Sequence, residues 1–398
     1  MLIRTIFVAI SLLSVGFSAS TQTEERGYLP YQGDWLGGDG GSSIDLGNGS
    51  SLWLFDDTFI NTNGERSGAW FVHNTVGLTP HSSCPWNISS CTGATYYWNT
   101  NVTPIFNEDL ANSDYYYWPL DGFMYNGTLY VVLNQVYNPN GSAYPGSSAA
   151  YLVKVPNPTQ SPWDWNLPAS DFTEIYSGSA VTPGVSMIVN QGPGGNPFPS
   201  DPNGANYAYF LTYVAATSSS NPAYEALLRL PLSDIVSFGN LNVGSDSNWE
   251  YFNNVGQFQS WPTGTTVPPG NIKQLITPGF TEGTLRYHSS SNQWIATYTD
   301  ENNDGNPYPP NEAYYQLAGN ISGNYGGQEN LFAFPEMASG NSWYVANATC
   351  YAVKEHTELE NSSASLVFTY ACNDSSSVVD SNMNLYRPEI VGTTLPTQ

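Results

Sequence analysis

Leu52-Trp-Leu-Phe55 is a short apolar stretch following a polar turn, and it decides the fold because the pattern recurs. A short strand, a polar turn and a strongly apolar strand return at Leu129-Tyr-Val-Val132, Tyr207-Ala-Tyr-Phe210, Trp294-Ile-Ala-Thr297 and Leu366-Val-Phe-Thr369. The starts lie 77, 78, 87 and 72 residues apart, so five similar units account for the chain. Helical periodicity is almost absent, and 37 Gly and 28 Pro punctuate segments rich in Tyr, Val, Ile and Thr. This pattern predicts an all-β chain folded as a five-bladed β-propeller, whose radially stacked blades expose no long free edge. A β-sandwich would not explain five evenly spaced copies. The period exceeds the ~40–50 residues of minimal blades, so long loops are expected, and such loops usually carry function.

Outward from this core, the first residues read as a targeting segment. Met1-Leu-Ile-Arg4 is a basic start, Ile6 to Phe17 is apolar, and Ser18-Ala-Ser20 is small. That order predicts a cleaved secretory signal over residues 1–20, leaving 21–398 as a single propeller domain of a secreted, extracellular protein. The apolar run is too short to span a bilayer. Secretion suits disulfides, and four cysteines allow three pairings. Local loop closure favours Cys84–Cys91 and Cys350–Cys372. Glycosylation sequons stand at Asn48, Asn87, Asn101, Asn126, Asn140, Asn320, Asn347, Asn361 and Asn373.

Composition excludes several classes of function. Nine Lys and Arg face 33 Asp and Glu, a formal charge of −24, which argues against nucleic acid and anionic membrane as partners. Charged residues are only 11% and aromatics 14%, so the chain is not a disordered acidic tail. Four histidines with no zinc-type spacing predict no metal and no cofactor. Asp300 to Asn311 superficially resembles a calcium loop but lacks its spaced carboxylates, and reads as a solvated turn. No Gly-x-Ser-x-Gly elbow or phosphate-cradling loop occurs. A monomer is expected.

In a propeller the innermost strand of each blade lines a central channel. Alignment on the apolar strands places Asp39-Gly40, Asp121-Gly122 and Glu282-Gly283 where innermost strands begin. Three acids at one mouth suit glycosidic hydrolysis, with one carboxylate ionised, one protonated and one tuning. Each dipeptide alone is an ordinary turn. Asp56-Asp57 ends the first apolar strand, where strand alternation allows only one of the two to face the pocket.

Gly33-Asp-Trp-Leu-Gly-Gly-Asp39-Gly, Leu52-Trp-Leu-Phe-Asp-Asp57-Thr58-Phe59 and Val72-His73-Asn74-Thr75 together resemble the opening of a propeller family long catalogued as domains of unknown function, with endo-D-arabinanase members. The resemblance covers about residues 33–78 and implies catalytic aspartates at Asp39 and Asp57. Asp56 departs from it, standing where the family has glycine. More distantly, the layout is similar to the five-bladed arabinanase, xylosidase and invertase-like hydrolases. That analogy implies Asp39 as base or nucleophile, Asp121 as tuning acid and Glu282 as proton donor.

Other residues are candidates for substrate contact. His73 and Asn74 follow the first blade's apolar strand, Trp118 could stack on a sugar, and Arg286 alternates with Glu282. Glu355 and His356, with Glu336, lie near the fifth unit's inner strand. Each has a plain structural alternative, since most aromatics pack a core and a lone Arg usually makes a salt bridge. The function read from these residues is a secreted glycoside hydrolase acting on a plant or microbial polysaccharide or oligosaccharide. The alternative is a non-catalytic glycan-binding propeller, although acids in units one, two and four only favour one asymmetric site. A polysaccharide lyase would need a neutralising Arg or metal, and cations are scarce.

Overall fold

The computed structural model describes residues 25–82, 93–107, 114–139, 141, 146–218, 221–245, 248–300 and 312–396. The sequence enters with β1 (Glu25–Tyr28), which belongs to the last blade. Blade one comprises β2 (Trp35–Asp45), β3 (Ser50–Ile60), β4 (Trp70–Val72), β5 (Thr75–Pro80) and β6 (Thr95–Tyr97). Blade two comprises β7 (Tyr115–Tyr125), β8 (Thr128–Tyr137), β9 (Gly146–Val155) and β10 (Phe172–Ser177). Blade three is β11 (Val181–Ile188), β12 (Tyr207–Val214), β13 (Tyr224–Pro231), β14 (Glu250–Phe252) and β15 (Phe258–Ser260). Blade four is β16 (Gly283–His288), β17 (Gln293–Thr299), β18 (Glu312–Ala318) and β19 (Glu329–Ala333). Blade five is β20 (Thr349–Glu355), β21 (Leu366–Asn373) and β22 (Glu389–Thr393), completed by β1 on β22.

All five sheets are antiparallel; four follow chain order from the centre outward, and the fifth does so until β1 closes it on β22. Their first strands pack side by side in a ring, β2 on β7, β7 on β11, β11 on β16, β16 on β20 and β20 back on β2. The protein is a five-bladed β-propeller. Every apolar stretch that predicted it lies in the second strand of a blade: β3, β8, β12, β17 and β21. Those strands are buried on both faces, which is why they read as continuous apolar runs rather than alternating ones.

The core is divided among the five seams between blades. Ile44, Leu54 and Val76 meet Leu129, Val131 and Val153 at the first seam, and the last is closed by Trp35, Trp53 and Phe55 against Val367 and Ile390. Trp35 also stacks on Tyr96 within its own blade, with centroids 4.1 Å apart and planes 7° from parallel. Cys350 and Cys372 form a disulfide between directly paired residues of β20 and β21. Cys84 and Cys91 lie outside the described residues, as do the 1–20 segment, the 301–311 turn and the sequons at Asn87 and Asn140. Asn48, Asn101, Asn126, Asn320, Asn347 and Asn361 are exposed, and Asn373 is half-buried.

One expectation needs correction. Asp39, Asp121 and Glu282 were each expected to open an innermost strand, and only Glu282 does, immediately before β16. Asp39 is the fifth residue of β2 and Asp121 the seventh of β7, because Trp35-Leu36 and Tyr115 to Trp118 extend those strands backwards. The registers of β2, β7, β11 and β20 all slip against their neighbours, and such bulges hide a strand's alternation in the sequence.

Candidate active site

The site grows from the bulged pairing of β2 and β3. Gly38 pairs with Thr58 and Gly40 with Phe55, so two steps along β2 match three along β3. The extra residue lies in Asp56-Asp57, where the bulge interrupts strict alternation, and the charge of Asp57 acts on Asp39 as that of Asp39 acts on Asp56. Two glycines make room. A Cβ on Gly37 would lie 2.2 Å from the Tyr386 carbonyl oxygen, and one on Gly40 would lie 2.9 Å from Asp56 Oδ2. Both have positive φ, at +117° and +77°.

The environments of the two outer aspartates differ. Asp57 Oδ1 accepts hydrogen bonds from His73 Nδ1 at 2.9 Å and from Trp118 Nε1 at 3.1 Å, N–H donors that suit a carboxylate. His73 is stacked on Tyr116 at 3.6 Å and 8°, so a flat aromatic wall fixes its ring. Asp39 Oδ2 accepts from the Tyr351 hydroxyl at 2.7 Å, and its Oδ1 is buried with no hydrogen-bond partner among the described residues. Burial, and then the charge of Asp57, push Asp39 up to about 7. Asp56 is also driven well above the carboxylate range, by burial and then by Glu282 and Asp39, while the Lys354 ammonium pulls it back. Glu282 therefore belongs to the same charge cluster. Tyr351 and Tyr386 are raised by burial and then by Asp39, and they remain phenol donors.

The remaining candidates lie elsewhere. Asp121 is fully buried, with Oδ1 accepting from Gly122 N and Oδ2 from Met187 N at 2.7 Å and Arg286 at 2.9 Å. Arg286 also donates to Ser186, so the two charges meet across the inner strands of blades two, three and four. Asn74 is fully buried too, and its amide clasps Phe106 and Tyr117 through backbone groups of both. Glu355 contacts His288, and His356 bonds Ser43 and Thr369. Burial, then Arg286, lower His356 to about 3, so it is a neutral structural group. Glu336 lies in the closure of blade five with Arg26 and Tyr370.

Asp39, Asp56, Asp57 and Glu282 thus gather at the leading halves of the inner strands with His73, Trp118, Tyr351, Tyr386 and Lys354. The last three had no sequence signal: they come from the fifth blade and the loop before β22, hundreds of residues from Asp39. Trp70 and Phe71 on β4 are largely exposed beside them, Phe71 lying edge-on to His73 at 6.1 Å. The arrangement supplies one anchored carboxylate, one protonated acid near neutrality, phenol donors and flat apolar faces.

Comparison with known proteins agrees with this architecture. The profile described as a domain of unknown function (DUF5005) matches residues 24–181, which hold Asp39, Asp57, His73 and Trp118. A search of curated proteins returned no match. Among solved structures, a Bacteroides ovatus protein described only provisionally as a hydrolase superposes with a TM-score of 0.64 at 17% identity, over 92% of this chain and 87% of that one. The catalytic domain of a Coprinopsis cinerea GH62 α-L-arabinofuranosidase gives 0.48 at 12% identity, over 92% and 95% of the two chains. The Bacillus subtilis arabinanase gives 0.41 at 12%, over 90% and 96%. No part of the assignment rests on the last two. The first establishes the shared fold.

Proposed function

We propose that the protein is a secreted glycoside hydrolase acting on a plant or microbial polysaccharide, with arabinofuranose-containing glycans the first substrates to test. The observation that carries this reading is the opposed setting of Asp39 and Asp57 on paired strands. A carboxylate anchored by N–H donors beside a carboxyl group that burial and a neighbouring charge push upward is the arrangement that acid and base roles require. Asp57, held by His73 and Trp118, acts as nucleophile or as the base that activates water. Asp39, protonated up to about pH 7, donates a proton to the leaving oxygen. This gives Asp39 the acid's role, where the distant analogy implied the base's. Tyr351 and Tyr386 orient that carboxyl, Glu282 supplies negative charge that stabilises an oxocarbenium-like centre, and Asp56, held in its protonated form by burial and then by Glu282 and Asp39, is a further hydrogen-bond donor. Asp121 serves as the support that holds the channel in register. Trp70, Phe71 and Trp118 offer faces on which sugar rings stack.

The test is a polysaccharide panel with the secreted protein, reading new reducing ends and product sizes. Turnover by the wild type that is lost in Asp57→Asn supports hydrolysis. Binding to a glycan without turnover, unaffected by Asp57→Asn, would instead establish the lectin-like alternative.

A further inference from the structure

A second polar cluster sits away from the aspartate site, where blades four and five adjoin. His288 is the last residue of β16, Glu355 the last of β20, and Glu360 follows the short 3₁₀ turn Thr357–Leu359. His288 and Glu355 are buried, and Glu360 is only partly exposed. The His288 ring stands between the two acids, its Nε2 in contact with Glu355 and its Nδ1 3.6 Å from Glu360 Oε1. One nitrogen and one oxygen from each acid lie within 4.8 Å of one another.

Charge around the cluster is unbalanced. Glu358, hydrogen-bonded to Ser43 and Ser51, adds a third carboxyl group beside it. The terminal nitrogens of Arg286 are engaged by Asp121, Ser186 and two backbone carbonyls. His356 is neutral. The single imidazole of His288 faces both Glu355 and Glu360, and Glu355 Oε2 is buried with no hydrogen-bond partner among the described residues, a state that ordinarily demands a ligand.

We propose that His288, Glu355 and Glu360 form a divalent-cation site of the Zn2+ or Mn2+ type that staples blade four to blade five. A cation held at about 2.1 Å by each ligand needs donor atoms no more than ~4.2 Å apart, so side-chain rotation must draw the donors together. An imidazole nitrogen with two carboxylate oxygens matches transition cations, whereas Ca2+ takes six to eight oxygens that this buried corner does not offer. The sequence showed no such motif because the ligands come from separate blades.

The experiment uses the intact protein, dialysed against a chelator and titrated calorimetrically with ZnCl2, MnCl2 and CaCl2. One equivalent of Zn2+ or Mn2+ is expected to bind and to raise the melting temperature. Glu360→Gln, at the partly exposed ligand, should weaken binding at least ~10-fold, and His288→Gln should do the same. Asp57→Asn, in the other cluster, should bind as the wild type does. No uptake by folded wild-type protein, equal uptake in the ligand variants, or binding of Ca2+ alone overturns the assignment, leaving a proton-sharing His–Glu cluster.

Discussion

Asp121 of the second blade and Arg286 of the fourth meet at 2.9 Å in the middle of the channel, both shielded from water. A pair so placed is weak evidence for stability by itself, yet breaking it leaves one charge buried and uncompensated. Asp121→Asn or Arg286→Met alone should therefore lower unfolding free energy by roughly 3–5 kcal/mol. The double variant should lose less than the sum of the two, and urea denaturation of all three would show it. Additive losses would mean that the pair is not coupled.

At the aspartate pair the expectation is reversed. Asp57→Asn should leave the melting temperature close to the wild type and reduce glycan turnover by about 10² to 10⁴-fold or more. A loss of stability with activity per folded molecule retained would mark Asp57 as a turn residue.

Asp39→Asn separates acid from base chemistry. A proton donor matters most when the leaving group is poor, so an aryl glycoside should be hydrolysed far better than the polymer by this variant. Equal losses on both substrates would contradict a donor role. Because burial, and then the Asp57 charge, hold the proton on Asp39 to about pH 7, polymer hydrolysis should fall as pH rises through that value.

Stability should follow pH in a defined direction. Asp39 is raised from 3.8 to about 7 by burial and Asp57, and Glu389 from 4.5 to about 8 by burial and Glu336. Between about pH 4 and 8 the folded protein holds protons that the unfolded chain releases, so stability falls as pH rises. His356, lowered from 6.5 to about 3, works the other way, but its window closes at 6.5. From pH 6.5 to 8.5 the carboxyl groups act unopposed. The melting temperature should drop across that interval, and Glu389→Gln should flatten the slope.

Gly40→Ala probes the bulge. The new methyl would lie 2.9 Å from Asp56 Oδ2 at a φ of +77°, combining a clash with backbone strain of about 1–2 kcal/mol. A double variant with Asp56→Gly should recover the clash but not the strain. Full recovery would show that φ is not strained there.

The parts of this molecule that were legible in the sequence are those in which burial is uniform. Leu52 to Phe55 and its four counterparts sit between flanking strands and announce themselves by composition. Strands with bulges did not. Tyr115 to Trp118 forms the start of β7, and the extra residue at Pro119–Asp121 breaks the alternation that would have revealed it as strand. The Asp39–Asp57 pair was legible through local motifs, being built from neighbouring strands of one blade. Tyr351, Lys354 and Tyr386 were not, since they reach the site through ring closure and their spacing encodes nothing. Glu355 and His356 were expected near the pocket, but the slip between Tyr351 and Lys354 carries them further down the channel to Ser43 and His288.

The pairing of β1 with β22 makes the first strand of the described residues wait for the last of them. Until then, a growing chain holds at least two unsatisfied strand edges, and neighbouring molecules could join them as readily as the proper partner does. The formal charge of −24 answers that hazard, because immature copies repel one another before any fold protects them. The scarcity of lysine and arginine is thus as useful to the molecule during its manufacture as after it.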